Sequence, residues 1–344
     1  MSIPRSASYV LGFLAFAGIC AAWASGGFKS PALAGPRPRL LYVSDPKLSE
    51  LAIFSLPALA QIGTITGLVQ PHGLCSDDKG NVWATSTGSR QIFEYAHGGV
   101  SPISVLSDPT GFPFGCAVDR PHNRLLVANI RDAVSPTPTP PPPSCSPTPS
   151  GPGEIEIFDS ATDKWLWCSY SAAFLQGDIN VASDPKGNVY VDGFTSSKRF
   201  VLAELPAGST TIQQVTITGG TIHYPGMVQW YEDGKYLAVG DRRCDTPRTT
   251  CIYHVRIKNT KKGPTGRIIG RTKFQTYNGH AICDMAQGTI GASGLKFLAG
   301  GDDESSCHRA ATSVDRWAYP AGGAPTNNNH HLHHFLPFGT AISR

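Results

Sequence analysis

Charge is scarce in this chain: Asp, Glu, Lys and Arg make up 16% of its 344 residues. The net charge of +4 is modest and spread out, with no Lys/Arg block resembling a nucleic-acid arm, so nucleic acid is not the expected partner. Long apolar runs are few. The clearest, Tyr9 to Ala24, is about 16 residues long, short of the roughly 20 that cross a bilayer. Helical periodicity is missing after that run. No Gly-x-Ser-x-Gly elbow, P-loop or dinucleotide fingerprint occurs, so the common nucleophile, nucleotide and redox-cofactor signatures are all absent. No paired Cys-x-x-Cys stands at zinc-site spacing either.

The N-terminal run follows Arg5 and ends in Ala22-Trp23-Ala24, the small-x-small pattern of a signal-peptidase site. Residues 1–24 are therefore expected to be an export signal, with a retained anchor or a lipidated Cys20 as alternatives. Ile19 sits where a lipidation site wants a small residue. Residues 25–38, rich in Gly, Ser and Pro, read as a flexible leader. Beyond the signal eight cysteines remain, and an even count in an exported chain reads as disulfides. An extracytoplasmic protein, secreted or held in the cell envelope, is the expectation.

What the chain does contain is repetition. Residues 71–95 hold three short β-type runs: Gly73 to Ser76, Val82 to Thr85 and Gln91 to Tyr95. Asp77-Asp78-Lys79-Gly80-Asn81 supplies the first turn, so the unit reads as an antiparallel meander. Such a sheet cannot bury its faces alone, which makes copies the thing to look for. Middle runs recur at Leu41, Val82, Leu125, Val189, Leu237 and Phe297. Their spacing starts near 42 residues and is lengthened later by insertions, which is propeller-blade spacing. Val100 to Leu106 reads as an outer strand. The sixth copy is expected to begin at Ala281-Ile282-Cys283-Asp284-Met285. The Pro-rich stretch 135–153 interrupts the third copy and cannot join a central strand, so it reads as a surface loop.

The first copy lacks its first run, and the tail Pro337 to Ser343 is a first run with no blade after it. Gly339-Thr340-Ala341-Ile342 is therefore expected to pair with Leu40-Leu41-Tyr42-Val43 and close the ring. The expectation is an all-β, six-bladed propeller of four-stranded antiparallel blades over residues 39–344, a monomer with one domain.

The recurring pattern Pro-x-Gly-apolar-x-apolar-Asp, then Gly-Asn-apolar-apolar-Val, then an apolar or aromatic run, resembles the NHL-repeat type of β-propeller. No Trp-Asp dipeptide ends the strands, and no kelch double glycine recurs. The resemblance covers about residues 39–344 and is clearest in the second and third copies. It implies that inner-strand starts and the loops joining the two middle strands share one face around a central channel. On that face it puts His72, Phe114, Arg131, Asp178, His223, Tyr224, Asp241, Arg242, His280 and Asp302, with Asp45, Arg243, Asp303, Glu304 and Phe338 beside them.

Two kinds of function follow from such a face. One is a non-catalytic scaffold binding a protein, peptide or glycan. The other is a metal-dependent lyase or lactonase at the channel mouth. For the second, His72, His223 and His280 would hold zinc with an open position. Calcium would use Asp178 or the run Asp302-Asp303-Glu304. The same histidines also read as loop residues bonded to backbone and water, and Asn327 to His334 as an exposed His-rich loop.

The cysteine positions suggest four bridges. Cys244 and Cys251 bracket a short loop. Cys283 lies on an inner strand below Cys307. Cys75 and Cys116 point to the facing sides of adjacent blades. Cys145 and Cys168 remain, toward one face.

Overall fold

The computed structural model describes residues 37–108, 111–132, 153–159, 166–231, 234–245, 249–276, 278, 285, 288–291, 296–302, 312–330, 332 and 335–344, without the side chains of 131, 132, 166 and 167. Six antiparallel sheets form six blades. The second, third and fourth start from inner strands Pro71–Ser76, Gly111–Asp119 and Gly177–Ser183, and run outward in chain order. The long apolar middle strands, such as Val82–Ser86 and Val189–Phe194, are buried on both sides because a blade meets a neighbour on each face. Six apolar clusters fill the six junctions. Leu74 and Ala84 meet Tyr42 and Ile53 at one, for instance, and Leu41 and Ile342 meet Ala299 and Val314 at another.

The ring closes as the tail predicts. Thr340–Ser343 is the inner strand of the first blade, antiparallel to Leu40–Val43, with Leu41 opposite Ile342 and Tyr42 opposite Ala341. The register is one residue further along the tail than the sequence reading placed it, and Gly339 continues the contact through its carbonyl, which accepts from Ser44 N–H at 2.9 Å. Ser76 Oγ donates to Ile342 O at 2.8 Å and ties this strand to the second blade.

The recurrent glycine of the Pro-x-Gly pattern has a steric cause. A Cβ on Gly73 would stand 2.2 Å from Phe114 O, on Gly115 2.3 Å from Ile179 O, and on Gly339 within the van der Waals shell of His72 O. Inner strands of neighbouring blades approach backbone to backbone, and only glycine leaves room. The turn pattern repeats as well. Asp77 Oδ1 accepts from Asn81 N–H at 2.8 Å and Asp184 Oδ1 from Asn188 N–H at 3.0 Å, with Gly80 and Gly187 at φ +86° and +85°. That is an Asx-type turn with a left-handed glycine.

Two features differ from the sequence reading. The sixth blade's inner strand is Gly288–Ile290, paired with Leu298–Gly300, rather than the run from Ala281; residues 281–284 lie outside the described residues. In the second to fifth blades four or five residues separate the end of the inner strand from the next strand, and Ile290, with six residues before Phe297, is much nearer that spacing than Met285, with eleven. The fifth blade has five strands. Its outer pair, Thr249–Thr260 and Gly263–Lys273, is about twice the usual length, and Thr216–Thr218 pairs in parallel on its edge.

Cys75–Cys116 and Cys244–Cys251 are disulfides, with Cα separations of 5.7 and 6.0 Å. Cys168 is disulfide-bonded too. Cys145, Cys283 and Cys307, the proline-rich 135–152 and the N-terminal 1–36 fall outside the described residues.

Candidate functional site

The Pro71-His72-Gly73 step carries a register shift between Pro71 and Leu74, which sets His72 at the head of its strand. Its ring stacks on Phe114 at 4.3 Å and meets the edge of Phe338 at 4.8 Å; Phe114 and Phe338 lie 5.1 Å apart. The three rings come from the second blade, the third blade and the closing tail. Thr87 Oγ1 donates to Pro113 O at 2.6 Å, which spends its proton. The 2.8 Å contact between His72 Nδ1 and Thr87 Oγ1 is then a donation from Nδ1–H, leaving Nε2 with the lone pair. Burial lowers the His72 pKa to about 4, so the ring is neutral at physiological pH.

A second group adjoins the first. Tyr224 meets Phe194 edge-on at 4.9 Å, and the Arg243 guanidinium lies 4.4 Å from the Tyr224 ring centre. The Arg242 guanidinium is 5.4 Å from Tyr224 and 5.9 Å from Phe338, which links the two groups into one aromatic and cationic collar. Asp241 braces it from below. Fully buried, it accepts from the backbone N–H of His223, Tyr224 and Arg243 at 2.8, 3.0 and 2.8 Å, and lies 3.2 Å from His223 Nδ1.

Of the residues expected on this face, His72, Phe114, Tyr224, Arg242 and Phe338 converge. Asp241 holds the loop rather than presenting a free carboxylate. Asp45 does the same, accepting from the N–H of Lys47, Leu48 and Leu336. Asp178 and Asp302 are completely buried. Arg131 lies on Arg124–Asp132 with its side chain outside the described residues, as are His280, Asp303 and Glu304. Phe194 and Thr87 were missed. Phe194 ends a middle strand just past the apolar pattern, and Thr87 follows one, so neither carries a local signal.

A cavity of about 420 Å³ among the described residues is lined by the inner strands from Leu74, Cys116, Asn180, Met227, Gly288 and Thr340 onward, with Arg120 and Asp184 also in its wall. None of the collar residues lines it. Among the described residues, the acid cluster with metal-compatible spacing is Asp108, Glu154 and Glu156, all buried. This cluster lies between the second and third blades, and Asp178 is close by: a Cβ on Gly153, next to Glu154, would stand 2.9 Å from its Oδ1. Gly111 N–H donates to Asp108, and Asn129 and Ser169 donate to Glu154.

No family model matches the sequence. Over 110 residues, however, the chain is 30% identical to human NHL-repeat-containing protein 4, covering 88% of that protein and 31% of this chain. This chain belongs to the NHL-repeat family. The rest of this NHL-repeat propeller is matched by structure at low identity. A protein of unknown function from Bacteroides caccae superposes with a TM-score of 0.61 at 13% identity, over 89% of this chain and 99% of that one. A chain of the nidogen/laminin complex gives 0.60 at 13%, over 89% and 98%. Hydrazine synthase of Kuenenia stuttgartiensis gives 0.52 at 15%, over 81% and 73%. At these identities the likeness is one of fold.

Proposed function

We propose that this chain is an exported, non-catalytic propeller that binds a protein, peptide or glycan through the face carrying His72, Phe114, Tyr224, Arg242 and Phe338. The observation that carries this reading is the collar itself. Aromatic rings and arginines stacked in fixed positions are the residue types that dominate binding hot spots. Asp241 beneath them fixes the loop, so little side-chain entropy is left to lose on binding. Two disulfides support the exported compartment. The nidogen/laminin match is a propeller found in a complex with another protein. The test is a screen of peptide and glycan arrays with the parent and the Tyr224→Ala/Arg242→Ala double variant, with melting curves to confirm folding. Ligands retained by the parent and lost by a folded double variant support the reading; ligands bound equally by both overturn it.

A metal-dependent lyase or lactonase is the second reading, favoured by one observation. His72 and His223 each have Nδ1 engaged, by Thr87 and Asp241, which is how a metal-ligating imidazole is oriented through its other nitrogen. Metal analysis of purified parent and His72→Ala protein decides it: stoichiometric zinc or calcium lost with the variant would shift the assignment to an enzyme.

A further inference from the structure

Between Asp245 and Asp284 the sequence has no carboxylate and eight cations: Arg248, Arg256, Lys258, Lys261, Lys262, Arg267, Arg271 and Lys273. The rest of the chain therefore holds 21 Lys and Arg against 25 Asp and Glu. Strand alternation disguises this run as scattered charge, and folding gathers it. Seven of the eight lie on the long outer hairpin of the fifth blade, and all seven are exposed. Asp245 neutralises two of them, meeting Arg271 at 3.1 Å and Lys273 at 2.5 Å. Arg256, Lys258, Lys261, Lys262 and Arg267 make no ion pair among the described residues.

The register adds a second observation. Arg256 stands directly opposite Arg267 across the hairpin, and like charges in that position destabilise a sheet. The hairpin is nevertheless anchored to its neighbour. Ile257 and Ile268 pack into the cluster shared with the fourth blade, and Asn259 Nδ2 donates to Glu204 Oε1 at 2.8 Å. The backbone thus holds in place a concentration of charge that opposes its own folding. Arg256, Lys258 and Arg267 share the other face of the ribbon, with Lys261 and Lys262 at its tip.

We propose that this hairpin is a docking strip for a linear acidic polysaccharide. Same-face residues recur about every 7 Å along a strand, so the five cations form a track roughly 20 Å long. That matches a chain bearing carboxylate or sulfate groups at regular intervals. A lipid surface would call for apolar residues at the tip, where the chain has Asn259-Thr260-Lys261-Lys262-Gly263. Single-stranded nucleic acid would call for exposed aromatic rings to stack on, and the exposed large hydrophobics among the described residues are all aliphatic.

The experiment measures binding of polygalacturonate and of sulfated dextran, with duplex DNA and phosphatidylserine vesicles as competitors. Parent protein binds one of the polysaccharides, and binding weakens steeply with added salt. Arg267→Glu and the pair Arg256→Glu/Lys258→Glu weaken it at least about tenfold. Arg267→Glu also converts a repulsive cross-strand pair into an attractive one, so its melting temperature is equal to or above the parent's while affinity falls. Lys47→Glu, the same charge change elsewhere, leaves binding intact. Equal loss with Lys47→Glu overturns the proposal, as does unchanged binding in the hairpin variants, or tighter binding to DNA or vesicles than to either polysaccharide.

Discussion

The second and fifth blades start from the same kind of inner strand and end very differently. In the second, strands of five and six residues are joined by a compact Asp77–Asn81 turn, and the outermost, Pro102–Ser107, carries no charge and exposes Ile103 and Val105. In the fifth, strand length rises from seven inside to ten, twelve and eleven outward, and the outer pair carries the basic track. The difference follows from what each strand touches. An inner strand meets neighbouring backbones near the axis, so Gly73, Gly115 and Gly339 have no room for a side chain. An outer hairpin has one neighbouring blade to satisfy and can lengthen as long as that face stays apolar.

The strongest way to break this contrast is to remove the tail. Deletion of residues 337–344 exposes the edge of Leu40–Asp45 and uncovers Leu41 and Val43, so the protein should be insoluble or melt at least about 10 °C lower. A truncated chain that melts with the parent would refute strand closure. Next is a single methyl group. Gly73→Ala places Cβ against Phe114 O, Gly115 Cα and Cys116 N, all backbone of the next blade, and should cost about 3 kcal/mol in chemical denaturation. Gly220→Ala in the fifth blade meets only the flexible end of Ile268 and should stay within about 0.5 kcal/mol. Equal costs would show that the inner strands are no more constrained than the edge.

The two disulfides sharpen the comparison further. Cys75–Cys116 joins adjacent blades across a sequence separation of 41, and Cys244–Cys251 closes a separation of 7 within one. In the chain-entropy picture their removal as Cys→Ser pairs costs about 4 and about 2.5 kcal/mol respectively, measured by urea unfolding. A further effect is on pH dependence. Between pH 6.5 and about 4 the unfolded chain binds a proton that the folded His72 site refuses, so stability is fully present above 6.5 and falls as pH drops through that window. His72→Phe should remove up to about 3 kcal/mol of that slope. An unchanged pH profile would mean that His72 is not held neutral by its aromatic neighbours.

The architecture was legible because each blade is a local pattern. Asp77-x-x-Gly80-Asn81 and Asp184-x-x-Gly187-Asn188 announce their turns within five residues, and Val82 to Thr85 announces a strand buried on both faces. The sixth blade was misplaced because Gly288-Thr289-Ile290 is too short to register as an apolar run, while Ala281 to Met285 looks like one. At the site, His72, Phe114 and Tyr224 stood at strand heads and could be read from the repeat, but Phe194 and Thr87 could not, since each follows an ordinary strand end. That Asp241 would act as a brace was equally hidden, because its partners are backbone N–H groups that carry no sequence identity.

What the sequence by itself determined is the number of blades, the strand that closes them, and the Cys75–Cys116 and Cys244–Cys251 bridges, all of which follow from period, parity and a matched pair of missing runs. Only the tertiary structure decided which end of the channel is packed with rings and which holds the cavity, that His72 is neutral, and that cations alternating along two strands meet as one track. Those properties depend on groups from different blades, brought within a few ångströms by ring closure, and the physics that couples them acts through space rather than along the chain.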